Sequence, residues 1–422
     1  MTQSSPNPLN GVATEDQGVS PIRITAADTV AAENDRFHRF RLIGWWDQAR
    51  LSRSKVLVVG AGALGNEIVK NLALLGVGNL LIADLDNIEN SNLSRSVLYR
   101  AGDCGASKAE TAARAARDIF PDLRVQFFHG NVVYDLGMGV FRWADVVLGG
   151  LDNREARLSI NRNCWRVNRP WIDGAIEQIQ GCARVFVPDG PCYECTMSTI
   201  DWQLLQKRRS CNLLTKAEMQ GGKTPTTPTI SSIIAGVQCQ EAVKLLHGLE
   251  TIRGHGWIFQ GLTADSYQIE YQRKDDCYSH ETFDEVVALK VQSKQVTVRQ
   301  FCQEARRLLG PEVTLELGRD MLEKLVCPKC GREEPVFASL GRVATEKAFC
   351  PDCLDARRDV VTFYKFDGSE PFADRTLHEI GVPPFDIVIA RTADRMVGLE
   401  LSGDSDEVLG PLADDAEGVE WS

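Results

Sequence analysis

Between Arg36 and about Gln272, the hydrophobic positions form short β-branched runs that alternate with stretches of helical spacing. This alternation is typical of a mainly parallel sheet whose strands are joined by helices. The predicted strands are Lys55–Val59, Leu80–Asp84, Val125–Phe128, Val146–Leu148 and Trp171–Asp173, followed by Gly181–Val187 and Trp257–Gln260, which read as later, antiparallel strands. We therefore predict an α/β domain over residues 35–280.

A second pattern occupies residues 281–403. Thr297–Leu309 has the spacing of a helix, Glu312–Leu317 has that of a strand, and residues 327–353 contain paired cysteines. A helix is predicted at Thr376–Ile380, before a turn that contains two prolines. The other elements of this region are Val360–Phe366, Asp386–Arg391 and Met396–Leu401. The pattern predicts a small α+β domain built around the cysteine module.

The two ends of the chain lack such patterns. Residues 1–34 are rich in Ser, Asn, Gln and Thr and are predicted to be a flexible leader, while residues 404–422 are predicted to be a solvated acidic tail. The net charge of −11 argues against general nucleic-acid binding, which needs a basic surface. No apolar run approaches the roughly 18 residues that a membrane helix needs, and no signal pattern is evident. We therefore expect a cytoplasmic protein that contacts neither nucleic acid nor membrane.

A glycine-rich loop follows the first predicted strand. Gly60, Gly62 and Gly65 lie between that strand and a helical stretch that reaches Leu75. The first glycine permits a tight turn, the second lets the backbone approach a phosphate, and the third lets helix and strand pack closely. Asp84 ends the next strand, where a carboxylate can accept hydrogen bonds from ribose hydroxyls. The arrangement predicts a Rossmann-like nucleotide site, and up to this point an NAD-dependent oxidoreductase fits as well as an ATP-binding protein.

Further polar residues favour a triphosphate. Asn92, Arg95 and Lys108 can donate to several phosphate oxygens, and Asp152 supplies a carboxylate for Mg²⁺ after the strand that ends at Leu148. An oxidoreductase has no use for Lys108 or Asp152. These residues therefore shift the prediction from a dinucleotide to ATP.

These motifs resemble, in order and spacing, the adenylation domain of the ThiF/MoeB/ubiquitin-activating superfamily over about residues 35–280. The resemblance is carried by Arg36–Arg39, Gly60, Gly62, Gly65, Asp84, Asp86, Ser91–Arg95, Lys108 and Asp152–Arg154. It implies that Asp84 holds the ribose, that Asn92, Arg95 and Lys108 bind phosphates, and that Asp152 binds Mg²⁺. Asp86 is either a supporting residue of the nucleotide site or simply solvated. The resemblance also implies that Arg39 enters the partner subunit's site as an arginine finger, and hence that the protein is a homodimer.

Two cysteine-rich sets have the spacing of zinc ligands. Cys192 and Cys195 form one pair, and Cys277 with His280 forms a second at equal spacing, which together suit a tetrahedral zinc site. The family usually has four cysteines here, so His280 is a departure that zinc tolerates. The stronger signal is a zinc ribbon with ligands Cys327, Cys330, Cys350 and Cys353. Two structural zinc ions are therefore expected.

Cys211 is the candidate reactive thiol. It follows Lys207, Arg208 and Arg209, whose charges would stabilise a thiolate. The resemblance assigns the thioester-forming cysteine to this loop, at about residues 196–228, although extra residues make the alignment looser here. A structural role for Cys211 stays open. Cys164, Cys182 and Cys239 are expected in the core.

Together these features predict an enzyme that adenylates the C-terminal carboxylate of a ubiquitin-like protein with ATP and Mg²⁺. Cys211 would then capture the product as a thioester and pass it to an E2-like conjugating enzyme. The whole layout also resembles activating enzymes of bacterial ubiquitin-like conjugation (Bil-type) operons, which implies a role in antiviral defence, and the C-terminal α+β domain vaguely resembles a ubiquitin-like fold. The alternatives are a sulfur-carrier-protein adenylyltransferase, an NAD-dependent oxidoreductase and a non-catalytic dimeric scaffold.

Overall fold

The computed structural model of the protein describes residues 35–202, 225–343 and 345–413. Contacts between residues divide the chain into a unit that ends at Gln48 and a larger unit that begins at Ala49. The described part of the first unit contains a short helix, α1 (His38–Arg41), on which Arg39 is exposed. The rings of Phe40 and Trp46 pack with their centroids 4.9 Å apart.

The larger unit is built from two sheets and the helices around them. The helix α2 (Gln48–Arg53) begins at the last residue of the first unit. The helices that lie wholly in the larger unit are α3 (Ala63–Leu75), α4 (Lys108–Ile119), α5 (Gly139–Trp143), α6 (Arg154–Arg166), α7 (Pro228–His247), α8 (Val298–Leu309) and α9 (Ser405–Leu409). Its strands are β1 (Lys55–Val59), β2 (Asn79–Asp84), β3 (Arg124–His129), β4 (Val146–Gly149), β5 (Trp171–Glu177), β6 (Gln180–Phe186), β7 (His255–Gln260), β8 (Asp265–Glu270), β9 (Glu285–Leu289), β10 (Thr314–Val326), β11 (Glu333–Ser339), β12 (Asp359–Phe366), β13 (Ile387–Arg391) and β14 (Met396–Leu401). Every helix in the described ranges is too short or too polar to cross a membrane.

The first sheet has eight strands in the order β3-β2-β1-β4-β5-β6-β7-β8. The first five of these pair in parallel, and β5 to β8 pair antiparallel. The β1 sequence is almost continuously apolar because the strand lies in the sheet centre with both faces covered, and Val56, Leu57 and Val58 are fully buried. The order of the strands reverses between β1 and β4, so the carboxyl ends of these strands flank a crevice that can accept a ligand.

The second sheet has six strands. Its order is β11-β10-β13-β14-β9, with β12 paired to β10. One face packs against α8, whose N-terminus is capped by Thr297 through the backbone N–H of Gln300. The buried residues between sheet and helix include Phe301, Leu399 and Leu401.

The other face of the second sheet packs directly on the first sheet and α5. Phe385, Ile387 and Ile389 share one apolar core with residues of the first sheet and α5. The ion pair between Arg142 and the buried Glu400 crosses this contact with N–O distances of 2.6 and 2.7 Å. The contact fixes the C-terminal region against the part of the unit that contains the first sheet.

The predicted elements agree with the structure over most of the chain. The strands predicted before residue 260 are present with boundaries that shift by up to four residues, and the strand at Glu312–Leu317 is the start of the longer β10. The predicted helix Thr376–Ile380 is wrong: these residues form turns that pack against the segment leading into α8, with Thr376 bridged to Thr297. The sequence analysis also missed β8, β9 and β11, and β8 is an exposed edge strand with no buried face to pattern it.

The solvated tail predicted from residue 404 is wrong for residues 404–413. Asp404 is buried and accepts from the Ser293 N–H at 2.9 Å, and Leu409 and Leu412 lie in the apolar core.

Candidate functional site

A cleft of about 1540 Å³ opens at the carboxyl ends of the parallel strands. Its walls include the loops after β1, β2, β3 and β4, and it continues across β5, β6 and β7. The predicted nucleotide-site residues that line it are Gly60, Gly62, Asp84, Asp86, Asn92, Arg95, Lys108 and Asp152. The structure therefore brings these residues, distant in sequence, into one continuous cavity.

The glycine loop is shaped by close backbone contacts. Gly60 has a φ of +94°, which favours glycine. A Cβ atom at Gly65 would lie only 1.8 Å from the carbonyl oxygen of Gly60, whereas a Cβ atom at Gly62 would meet no atom within 4 Å. Gly60 and Gly65 are therefore needed for the loop's own packing, while Gly62 keeps space open on the side of the cleft.

Alanine substitutions of the last two glycines have different expected effects. Gly65→Ala should destabilise the free protein by about 2 kcal/mol or more, because backbone atoms must move to remove the clash. Gly62→Ala should change the free energy of unfolding by less than about 0.5 kcal/mol, yet weaken nucleotide binding about tenfold. Urea unfolding and titration with a fluorescent ATP analogue measure both quantities. Equal destabilisation by the two variants would contradict this division of roles.

Two buried side chains that the sequence analysis missed support the loop. Asn66, fully buried on α3, donates from Nδ2 to the carbonyl of Ala61 at 2.7 Å and accepts at Oδ1 from the Leu98 N–H. The Tyr99 hydroxyl lies 2.6 Å from the same Ala61 carbonyl and 3.1 Å from that of Lys108. These contacts connect the loop to the start of α4. An Asn on an otherwise apolar helix face was the available signal.

Asp84 is fixed by the backbone. Its Oδ2 accepts from the N–H of Ala61 at 2.6 Å, and its Oδ1 accepts from the N–H of Asp86 at 2.8 Å. Burial raises the pKa of the Asp84 carboxyl above its ordinary value, against the opposing effects of Lys108 and the two N–H groups. Each carboxyl oxygen has a second lone pair that can accept from a hydroxyl in the cleft.

Lys108 presents the cation most deeply placed among the predicted phosphate ligands. It is only 9% exposed, and its Nζ lies 2.7 Å from Oδ2 of Asp86. The backbone also joins the two residues, because the N–H of Lys108 donates to the carbonyl of Asp86 at 3.0 Å. Asp86 therefore contacts and orients Lys108, a role that the sequence could not distinguish from simple solvation.

Asn92 ends a short 3₁₀ turn in the cleft lining, and Arg95 lies in the turn that follows it. Oδ1 of Asn92 accepts from the Glu89 N–H at 2.9 Å, so its Nδ2 is the end that can donate to a ligand. Nη1 of Arg95 donates to the carbonyl of Ser91 at 2.7 Å, which holds the guanidinium against the turn. Both residues supply donors of the kind that phosphate oxygens need.

Asp152 lies on the opposite side of the glycine loop, after β4. It is exposed, and its Oδ1 receives a contact of 3.3 Å from Nδ2 of the next residue, Asn153. Asn153 caps α6 by accepting from the Ala156 N–H at 2.8 Å. An exposed carboxylate in the lining of this cleft fits Mg²⁺, which binds one or two carboxylates together with phosphate and water oxygens.

A buried arginine pair that the sequence analysis missed holds the Asp152 segment. Arg157 donates to the fully buried Asp173 at 2.8 Å and to the carbonyl of Leu151 at 2.6 Å. Arg184 also contacts Asp173, with its Nε at 3.0 Å. One carboxylate between two guanidinium groups leaves a positive charge beside the cleft, and the contact to Leu151 fixes the backbone next to Asp152.

The cysteines expected in the core divide into two groups. Cys164 and Cys239 are buried as predicted. Cys182 is not: it is half-buried on β6 and lines the cleft on the same strand face as Arg184. The error arose because this face of β6 is buried at Phe186 but borders the cleft at Cys182 and Arg184. Burial raises the pKa of the Cys182 thiol, with Arg184 opposing the shift.

The first predicted zinc site is assembled as expected. The ligand atoms of Cys192, Cys195, Cys277 and His280 all lie within 4.8 Å of one another. The sulfur–sulfur distances from Cys192 are 3.7 Å to Cys195 and 3.5 Å to Cys277, close to the edge of about 3.8 Å in a tetrahedron with zinc–sulfur bonds of about 2.3 Å. The His280 ring stacks on Trp165 with centroids 4.7 Å apart. The donor set fits a structural zinc ion that joins the segment after β6 to the segment after β8.

The second cysteine set also converges. Cys327 pairs with Cys353 at 3.9 Å and Cys330 with Cys350 at 3.8 Å, and all four ligand atoms lie within 4.8 Å of one another. Cys327 and Cys330 lie on one tight turn, Cys350 and Cys353 lie on another, and Gly331, after the first turn, has a φ of +73°. The geometry fits a zinc ribbon at the far ends of β10, β11 and β12.

Loss of one ligand should empty one site and leave the other intact. His280→Ala should lower the zinc content from about two ions per chain to about one and lower the free energy of unfolding by about 2 kcal/mol or more. Cys104→Ser, at an exposed thiol outside both sites, is the matched control and should change neither value. Elemental analysis and urea unfolding give the two readouts. Two ions in the His280 variant would show that His280 is not a ligand.

For two of the predicted catalytic residues, Cys211 and Arg39, the structure does not test the predicted role. Cys211 falls outside the described residues, so its role stays a prediction. Arg39 belongs to the unit that ends at Gln48, and its role as an arginine finger also stays a prediction.

The fold and the cleft define a Rossmann-like protein suited to bind a nucleotide, with two cysteine-rich sites that fit zinc. A sequence model of the ThiF family matches residues 35–279. The chain belongs to the ThiF family. The resemblance drawn from the motifs is thereby confirmed, and the match ends just before β9.

Named relatives match a little over half of the chain. The SAMP-activating enzyme E1 of Haloferax volcanii is 32% identical over 258 residues, which cover 58% of this chain and 88% of the relative. The sulfur carrier protein adenylyltransferase of Thermus thermophilus is 29% identical over 255 residues, which cover 58% and 90%. The crystal structure of E. coli MccB with ATP is similar in fold, with 21% identity, a TM-score of 0.50, and coverage of 61% of this chain and 77% of that one.

Proposed function

We propose that the protein adenylates the C-terminal carboxylate of a small carrier protein, with ATP as the second substrate. The observation that carries this proposal is the shared cleft, in which the glycine loop, Lys108 and Asp152 line one cavity. The names of the Haloferax and Thermus relatives support the same chemistry. An oxidoreductase would need neither of these charged groups in the cleft.

In the proposed reaction an oxygen of the carrier carboxylate attacks the α-phosphorus of ATP. A bond forms between that oxygen and phosphorus, the bond to the β-phosphate bridging oxygen breaks, and pyrophosphate leaves with that electron pair. The carboxylate is already ionised at neutral pH, so no general base is needed. The products are an acyl-adenylate and pyrophosphate.

The residues of the cleft would contact different parts of the nucleotide. Asp84 would accept from the ribose hydroxyls, and the N–H groups at the start of α3 would face phosphate oxygens. Lys108, Arg95 and Asn92 would offset the charge that develops on the phosphates. Asp152 would hold Mg²⁺, which lowers the negative charge of the triphosphate when bound. The residues in this arrangement bind and orient ATP, and the carboxylate performs the attack.

The second half of the cleft is proposed to receive the end of the carrier. It runs across β5, β6 and β7 and passes Arg184, Tyr193 and Gln260. Because the cleft continues past the predicted nucleotide residues, it has room for an extended peptide tail. The folded body of the carrier would then remain outside, and a ubiquitin-like protein is the proposed identity.

After adenylation, the Cys211 thiolate is proposed to attack the acyl carbon. A thioester forms, and AMP leaves with the electron pair of the broken carbon–oxygen bond. The product would pass to an E2-like conjugating enzyme. A homodimer, in which Arg39 reaches the partner's site, and a cytoplasmic location that keeps the zinc-binding thiols reduced, complete this proposal. The role in antiviral defence stays a prediction from the resemblance.

The alternative is an adenylyltransferase for a sulfur carrier protein, and the Thermus relative favours it as strongly as the Haloferax relative favours conjugation. The two functions share the adenylation step and differ in the fate of the acyl-adenylate. Non-reducing gels with ATP, Mg²⁺ and each candidate carrier would separate them. A reducible adduct that goes on to form isopeptide-linked products supports conjugation, and a thiocarboxylate on the carrier supports sulfur transfer.

A further inference from the structure

One wall of the nucleotide cleft is held by the C-terminal region. This wall consists of residues 130–135, which follow β3, and is called the cleft wall below. Residues 130–134 line the cleft. The wall lies beside the proposed ribose ligand, because the N–H of Gly130 donates to the carbonyl of Asp84 at 3.2 Å.

The cleft wall is folded around the Asp135 carboxylate. Oδ2 of Asp135 accepts from the N–H of Asn131 at 2.9 Å, and the N–H of Asp135 donates to the carbonyl of Asn131 at 2.8 Å. Oδ1 of Asn131 accepts in turn from the Val133 N–H at 2.8 Å. The position of Asp135 thus fixes the backbone that faces the nucleotide.

Two neighbouring residues of the zinc ribbon (residues 327–353), Gly341 and Arg342, contact the cleft wall. Nη1 of Arg342 lies 2.5 Å from Oδ1 of Asp135, the carboxylate oxygen that the wall itself leaves available. The neighbouring Gly341 packs so closely that a Cβ atom there would lie 2.1 Å from the Tyr134 hydroxyl. That hydroxyl donates to Oε1 of Glu155 at 2.8 Å, so the ring cannot move without breaking a bond across the cleft.

The contacting segment belongs to a folded element. Gly341 and Arg342 lie on a 3₁₀ turn directly after β11. The next residue, Val343, is buried in the apolar core of the ribbon region with Leu322 and Leu325. The contacts to the cleft wall therefore come from this folded turn, and the position of the turn determines that of the wall.

We propose that Arg342 and Gly341 are positioning residues for the nucleotide: through Asp135 and Tyr134 they set the cleft wall against which ATP binds. This inference rests on the proposed function for the identity of the nucleotide. A residue that acts through the wall alters ATP binding more than the chemical step, because the phosphate ligands and Asp152 are elsewhere in the cleft. The C-terminal region, which lies beyond the family match, thereby acts on the site of the family domain.

The test compares Arg342→Ala with two reference variants in ATP–pyrophosphate exchange. Arg342→Ala should raise the KM for ATP about fivefold, with kcat changed less than about twofold. Arg342→Lys should recover part of the loss, because an ammonium can still pair with Asp135. Arg332→Ala removes a similarly exposed ribbon arginine that pairs with Asp352 instead, and it should leave the KM unchanged. Gly341→Ala should raise the KM at least as much as Arg342→Ala.

A second readout keeps this inference separate from the proposed function. Hydrogen exchange at the amides of residues 131–135 should be about tenfold faster in Arg342→Ala than in the unaltered chain and unchanged in Arg332→Ala. If the unaltered chain catalyses exchange and Arg342→Ala has the same KM, the inference is wrong and the function stands. If no exchange occurs with any carrier, the amide protection alone decides, and equal protection in both arginine variants would overturn the inference.

Discussion

Asp152→Asn should reduce carrier-dependent ATP–pyrophosphate exchange by about a hundredfold to a thousandfold, with little change in stability. The substitution keeps the size of the side chain and removes the negative charge that the proposal assigns to Mg²⁺. Asp152 is exposed, and its carboxylate contacts the neighbouring Asn153, so the fold does not depend on its charge. Exchange rates at saturating ATP, measured across a Mg²⁺ titration, give the size of the effect.

The matched control for this variant is Asp122→Asn. Asp122 is exposed in the turn before β3 and outside the cleft lining. Its loss removes the same charge from the protein surface and should leave exchange within about twofold of the unaltered chain. If both variants lost activity equally, the effect would reflect net charge, and the assignment of Mg²⁺ to Asp152 would be contradicted.

Cys211→Ser should abolish the reducible adduct with the carrier and leave pyrophosphate exchange within about twofold. The reason is that adenylation and thioester formation use different groups: the first needs the cleft, and the second needs a thiolate. A serine hydroxyl is a far weaker nucleophile near neutral pH, because almost none of it is ionised. Non-reducing gels of the carrier reaction, with and without thiol reductant, measure the adduct.

Cys182→Ser provides the informative comparison, because Cys182 is the thiol that lines the cleft in the described part of the chain. Its raised pKa predicts a protonated thiol, and this variant should retain the adduct. An adduct that survives in Cys211→Ser and vanishes in Cys182→Ser would move the acceptor role to β6. An adduct that survives in both variants would contradict thioester capture by either residue.

Much of the nucleotide site could be predicted because its signals are local. The apolar run of β1, the glycine loop and the helix after it are contiguous, so the turn and the anion site follow from short-range geometry. Asp84 and Asp152 were recognisable because each lies at or just after the end of a predicted strand. Parallel strands bring their carboxyl ends together, which is why residues 68 positions apart in sequence meet in one cleft. The zinc ligands were equally clear, since their spacing is set by the turn that presents two sulfur atoms.

The missed features depend on contacts between distant segments. Asn66, Arg157 and Asp173 serve the site through buried hydrogen bonds, and no local pattern distinguishes such residues from ordinary helix and strand positions. The pairing of Asp86 with Lys108 likewise required the structure. The predicted helix Thr376–Ile380 failed because its five residues are too few for helix formation without tertiary support, and packing against the segment leading into α8 favours turns instead.

The position of the C-terminal region could not have been inferred from the sequence. Its sheet is apolar on both faces, which predicts that both faces are covered. The pattern does not show which part of the chain covers the face opposite α8. The structure identifies this part as the nucleotide-binding half, through Phe385, Ile387 and the Arg142–Glu400 pair. The zinc ribbon consequently lies against the cleft wall, where Arg342 contacts Asp135.

The central claim is that a carrier carboxylate attacks the α-phosphorus of ATP. The most direct measurement is to incubate the protein with Mg²⁺, α-labelled ATP and a carrier protein, and to identify the labelled products. We predict AMP, together with an acid-stable adenylate on the carrier, and no reaction with a carrier whose C-terminal carboxylate is replaced by an amide. Label recovered as ADP, or AMP formed equally with the amidated carrier, would contradict the claim.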